Sequence, residues 1–246
     1  LVNNNDQISQ LNIKRKKSNY SINSKIFDGT KILDRILFSK NDGNFFEVFE
    51  KLNSKITINF NTIYITNEDY LTNFKADMIV NNNQIKDLIL SSQFATKEDL
   101  KLSIKTNSNN EKITDLFAGN AKPLVKKYDF IKGFEGGYLK FDSIEKNKVS
   151  NANLKIFDFK LKEVPALTKL LTLASLQGIT DLLTGEGIRF NEFEMIFNNK
   201  DGLMTIEEIY SLGPSISILM DGYIQKDDLV SLRGTLVPAT TVNKVI

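Results

Sequence analysis

Leu100-Lys101-Leu102-Ser103-Ile104-Lys105 places an apolar residue at every second position. That period belongs to a strand with one dry face and one wet face. The same alternation recurs outward in both directions. Ile56, Ile58 and Phe60 alternate with Thr57 and Asn59, while Phe74, Ala76, Met78 and Val80 alternate with Asn73, Lys75 and Asp77. Further along, Ile216, Ile218 and Met220 alternate with Ser215 and Ser217, and Val230, Leu232 and Leu236 with Ser231, Arg233 and Thr235. These runs predict half-buried strands of an antiparallel sheet in a mainly β fold.

Turn residues join the runs. Asn81-Asn82-Asn83, Asn107 to Asn110, and Asn198-Asn199-Lys200-Asp201-Gly202 supply side chains that tolerate or favour positive φ, which predicts hairpins and a meander. In Leu154-Lys155-Ile156-Phe157-Asp158-Phe159-Lys160-Leu161 the apolar phase passes from even to odd positions. An inserted residue, a β-bulge near Phe157, is the expected device. Two helical intervals are expected to interrupt the strands. The first covers about 115–127, with Leu116, Phe117, Leu124 and Val125 apolar and Pro123 restricting it to short pieces. The second covers 165–184, opened by Pro165 and stopped by Gly185. Its apolar residues Leu167, Leu170, Leu171, Leu173, Ala174, Leu176, Ile179, Leu182 and Leu183 cover more than one stripe, as in a helix buried from two sides or facing something oily.

Composition narrows the chemistry. The chain of 246 residues is 41% hydrophobic, enough for a sizeable core, and no linker rich in Pro, Gly or Ser divides it, so one elongated body over residues 1–246 is expected. A net charge of +2 falls short of the concentrated basic face that nucleic acid requires. Cysteine and histidine are both absent, which removes thiolate chemistry, the usual zinc sites and histidine acid–base catalysis. The stretch Ala166 to Leu183 is interrupted by Lys169, Gln177, Gly178 and Asp181, short of the roughly 20 apolar residues of a membrane span.

Candidate motifs reduce to simpler readings. Asn199, Asp201, Gly202 and Glu208 match a calcium loop, but Phe197 stands at its first ligand position, so a hairpin turn explains them better. Gly185-Glu186-Gly187 begins a dinucleotide fingerprint that Phe190 breaks and that follows a helix instead of a strand. The pairs Glu98-Asp99, Glu207-Glu208 and Asp227-Asp228 are sequence neighbours, which in strands point to opposite faces. The run Lys14-Arg15-Lys16-Lys17 suits an edge strand guarded by charge, and the same composition attracts anionic headgroups. No catalytic residue, metal ligand or cofactor site emerges, and a non-enzymatic protein is expected.

One segment carries a more specific signal. Glu163 to Phe190 contains a proline opening an apolar helix, Leu170-Leu171-Thr172-Leu173-Ala174-Ser175-Leu176, a glycine, a second short helix and then Gly185-Glu186-Gly187-Ile188-Arg189-Phe190. It resembles the AsmA-like C-terminal region of the YhdP, TamB and AsmA family of periplasmic bridge-like lipid transport proteins, the YhdP type above all. The likeness continues through Asp201-Gly202, Gly213-Pro214-Ser215 and Gly234-Thr235-Leu236-Val237-Pro238-Ala239, with Asn243 beyond. Upstream it includes Phe27-Asp28-Gly29, Gly119 to Leu124 and Gly136-Gly137-Tyr138-Leu139.

The resemblance implies a curved β-sheet whose apolar face forms a groove. It also implies a role in moving phospholipid between the inner and outer membranes of a Gram-negative bacterium, with phospholipid acyl chains as the partner. The chain is then expected to be a periplasmic section of a much longer protein anchored in the inner membrane outside it. On that reading the groove is lined by Ile56, Ile58, Phe60, Phe74, Met78, Val80, Leu100, Leu102, Ile104, Ile216, Ile218 and Met220. The rival expectation is a scaffold for outer-membrane assembly whose apolar face is closed as an ordinary core.

Overall fold

The computed structural model describes residues 2–4, 7–30, 51–127, 133–162, 187–225 and 229–238. The protein is mainly β, and its packing divides it into two units, residues 1–118 and 119–246.

In the first unit β1 (Val2–Asn4) and β2 (Gln7–Ser9) form a small pair of their own. The main strands are β3 (Asn12–Lys16), β4 (Asn19–Asp28), β5 (Ser54–Tyr64), β6 (Tyr70–Asn81), β7 (Gln84–Phe94), β8 (Asp99–Thr106) and β9 (Lys112–Ala118). They lie side by side in chain order, with β3 at an edge. The second unit holds the helix α1 (Lys122–Lys127) and the strands β10 (Phe134–Lys146), β11 (Val149–Leu161), β12 (Ile188–Lys200), β13 (Leu203–Leu212), β14 (Ile216–Ile224) and β15 (Val230–Pro238), again in chain order with β15 at an edge. Among the described residues no pairing joins the first strand of either unit to its last, so each order is open.

The expected turns make the hairpins. Asn82 and Asn83 (φ 48° and 62°) connect β6 to β7, and Asp201 and Gly202 (φ 52° and 84°) connect β12 to β13. Two consecutive positive φ values give a backbone twist that matches the flanking strands. Two expectations require correction. The pairing is antiparallel except between β4 and β5, which run parallel. The interval 115–127 is not helical throughout. Asp115 to Ala118 belong to β9, where Leu116 pairs with Leu102, and only Lys122–Lys127 is helix. Spacing alone left that short apolar run ambiguous, and the open edge of β8 decided it. The helix is seated by the Ala121 N–H, which donates to Gly137 O at 2.9 Å, and it ends in Lys126 and Lys127, favourable at a helix C-terminus. The 165–184 helix expected from the sequence, with Leu167, Leu170, Leu171, Leu173, Leu176, Ile179, Leu182 and Leu183, lies outside the described residues.

The phase change in β11 is real, but it is not the expected one-strand insertion. Ile156 is buried before it and Phe159 after it. β10 makes the same change between Phe134 and Leu139, and β12 between buried Phe190 and half-buried Phe193. Register is kept across the break: Gly136 and Tyr138 pair with Phe159 and Phe157, which pair in turn with Phe190 and Glu192. The three strands therefore change phase together at one level. Asp158 (φ 54°) and Gly136 and Gly137 (φ 73° and 75°) take the left-handed backbone that makes the change. Glycine is required at 137, where a Cβ would stand 2.8 Å from Phe157 O. The rings of Phe134, Phe159 and Phe190 then stack at successive spacings of 5.2 Å.

The first unit repeats the device. Ser24 to Phe27 in β4, Phe60 to Ile63 in β5 and Phe74 to Leu71 in β6 all change phase, with Asn73 at φ 53°. Phe27, Phe60 and Phe74 form the corresponding ring ladder, at 4.9 and 5.8 Å. Here the change stops at β7, which keeps Leu88, Leu90, Ser92 and Phe94 buried in one phase. A register shift between Thr72 and Lys75 absorbs it.

Candidate functional site

Cross-strand partners share a face, so the register defines the apolar surface of each unit. In the first, one row runs Ile13, Ile22, Ile58, Ala76, Leu90, Leu102 and Leu116 from β3 to β9. The next runs Arg15, Tyr20, Ile56, Met78, Leu88, Ile104 and Thr114. The register places Ile56, Ile58, Phe60, Phe74, Met78, Val80, Leu100, Leu102 and Ile104, the groove residues expected in this unit, on one face. All are buried except half-buried Ile58. Leu102 is only 4% exposed.

The second unit differs. Its first row is Leu139, Ile156, Phe193, Ser211, Ile218 and Leu236, and its second is Phe141, Leu154, Met195, Ile209, Met220 and Gly234. The third is Ser143, Ala152, Phe197, Ile206, Gly222 and Leu232, and the fourth Glu145, Ser150, Asn199, Met204, Ile224 and Val230. Most of the large side chains here, among them Phe141, Leu154, Phe193, Met195, Phe197, Ile209, Ile218, Met220 and Ile224, are half-buried. Leu232 and Val230 on β15 reach 41% and 54% exposure. The candidate site is this face: largely apolar, buried to half-buried across β10–β14 and exposed at Val230 and Leu232 of β15.

Of the residues expected from the sequence, Ile216, Ile218 and Met220 fall on this face, with Ile216 fully buried. Phe193, Met195, Phe197, Met204, Ile206 and Ile209 were missed. Their signal was present in the alternation Phe193-Glu194-Met195-Ile196-Phe197. It was masked by Ile196, an apolar residue on the opposite face, and by the phase change just before it.

The reverse face of the second unit is mixed, with Ile144, Leu212, Leu219 and Tyr223 exposed on it around a paired polar cluster. Lys155 Nζ stands 2.9 Å from Glu194 Oε1, which also accepts from Asn153 Nδ2 at 2.7 Å. The Lys155 hydrogen bond holds the Glu194 carboxyl below its ordinary range, and the same bond raises the Lys155 ammonium. Beside them the rings of Tyr138 and Phe157 stack at 4.8 Å, with Lys140 Nζ 6.0 and 5.7 Å from their centroids. The two faces therefore differ in that the reverse one carries this charged and aromatic cluster beside its exposed apolar side chains, while large apolar side chains dominate the other.

Comparison with family models, with characterised proteins and with solved structures gave no match. Among the described residues no group of three or more His, Cys, Asp or Glu could hold a metal ion. No described helix is long and apolar enough to cross a membrane.

Proposed function

We propose that this chain is one section of a non-enzymatic conduit that carries phospholipid through the periplasm between the inner and outer membranes of a Gram-negative bacterium. The observation that carries the reading is the half-buried, largely apolar face of β10–β15, which opens to solvent at Val230 and Leu232. It supports transport because of the barrier lipid faces in water: a diacyl lipid of roughly 30 methylenes, at about 0.8 kcal/mol each, meets a cost on the order of 25 kcal/mol. A continuous hydrocarbon surface removes most of that cost, and generic side chains such as Phe193, Met195 and Ile218 do so without holding any one lipid tightly. The likeness of Glu163 to Phe190 to the AsmA-like region points the same way. Native mass spectrometry of the purified chain tests it. Co-purifying phospholipid that mirrors the host membrane is the expected result, and a lipid-free protein opposes it.

A second reading, a scaffold for outer-membrane assembly with a closed core, is favoured by the first unit, where Met78, Leu88, Leu90 and Leu102 are buried. The two readings separate on whether the β10–β15 face is occupied by lipid or only by protein.

A further inference from the structure

The apolar rows of the first unit end at β3, and their last members are unlike the rest. Ile13 ends one row and is 58% exposed, while Arg15 ends the other. The Arg15 guanidinium lies 5.6 Å from the centroid of the Tyr20 ring and donates to Lys17 O at 2.8 Å, which fixes it at the hairpin tip. Lys14 and Lys16 occupy the opposite face of the same strand, across from Ser21 and Asn19, and Lys17 takes the turn with φ 56°. All four cations are exposed, and no acidic residue stands between Asp6 and Asp28. Guarding the edge of β3 explains lysine at such positions. It does not explain an isoleucine left in water beside them, or an arginine stacked on a tyrosine at the end of a hydrocarbon row.

We propose that the β3–β4 hairpin docks edge-on on an anionic lipid surface, its free β3 edge and turn entering the interface so that side chains of both faces reach it: Lys14, Arg15, Lys16 and Lys17 against headgroup phosphates and Ile13 and Tyr20 in the interfacial layer. Clustered cations near a bilayer each add to attraction for anionic lipid, and an aromatic ring with a polar end suits the boundary between headgroup and chain. A bilayer is favoured over nucleic acid because the patch is short and carries exposed aliphatic surface. The inference is independent of whether the β10–β15 face carries lipid.

Vesicle co-sedimentation of the whole chain tests it, with phosphatidylcholine alone and with phosphatidylcholine mixed with phosphatidylglycerol. Binding to the mixed vesicles only is expected. Replacing Lys14, Lys16 and Lys17 by Ser is expected to weaken it about fivefold per cation, on the order of a hundredfold together. Ile13→Ser is expected to weaken it further. As a matched control, Lys55→Ser with Lys75→Ser and Lys105→Ser removes three exposed cations elsewhere and should leave binding intact. Circular dichroism melts confirm that both triple variants fold. The proposal is overturned by equal binding to neutral vesicles or by an equal loss in the control. Full competition by inorganic phosphate would mark a free-phosphate site instead, and preferential capture of a single-stranded RNA probe would mark a nucleic-acid surface.

Discussion

Ile156 and Phe159 are both buried, although three positions of one strand separate them and a regular strand would turn one of them to water. Asp158 between them takes the left-handed backbone, and Gly137 lies alongside on β10 with its own positive φ. The neighbouring strands make the same change at the same level, so the apolar face survives the break.

That arrangement makes the two strands unequal under substitution. Gly137→Ala adds a Cβ that meets Phe157 O at 2.8 Å in a backbone region alanine avoids. It is expected to cost about 2 kcal/mol, read as a lower denaturation midpoint. Asp158→Gly removes strain while adding freedom to the unfolded chain, and should change stability by less than about 1 kcal/mol. Equal losses in the two would refute the account.

Phe190 and Phe193 separate core from accessible face. Phe190 is buried in the ring ladder, so Phe190→Ala is expected to cost about 3–5 kcal/mol. Phe193 is half-buried, and Phe193→Ala should cost roughly half as much or less. If the two variants melt alike, the β10–β15 face is ordinary core and the scaffold reading gains.

Sidedness of lipid contact can be read by photo-crosslinking. A crosslinker at Met195 is expected to label phospholipid, and one at Lys155 on the reverse face, beside Glu194, is not. A crosslinker at buried Leu102 is expected to label protein instead. Labelling at Lys155 as strong as at Met195 would contradict a one-sided surface.

The Lys155–Glu194 pair contributes a pH-dependent increment. Glu194 is depressed by its hydrogen bond to Lys155, so its contribution is present above its ordinary value of 4.5 and is lost as pH falls through the lower folded value. Lys155 is raised, so its contribution is present below its ordinary value of 10.5 and is lost as pH rises through the higher folded value. Between those limits the pair is expected to contribute about 0.2–1 kcal/mol, given its partial exposure. Glu194→Gln should remove that increment at neutral pH and flatten the acid limb of the stability profile. An unchanged acid limb would show that the pair contributes nothing.

Much of this protein was legible in its residues. Alternation at Leu100 to Lys105 and Phe74 to Val80 determined strands and the side each turns to its core, because a period of two admits only one arrangement of faces. Asn82-Asn83 and Asp201-Gly202 determined the hairpins, because few side chains tolerate consecutive positive φ. Tertiary structure decided the rest. Residues 115–118 became strand because β8 offered hydrogen bonds that an isolated short helix could not match. The parallel pairing of β4 with β5 depends on which edge was open, which no local pattern encodes. The phase change at Asp158 was visible, but that β10 and β12 change with it follows only from the register that places Gly137, Asp158 and Asn191 at one level. Accessibility was the last thing left to the fold. Leu102 and Met195 sit in the same alternating pattern, and only the surroundings of each face make one buried and the other half-buried.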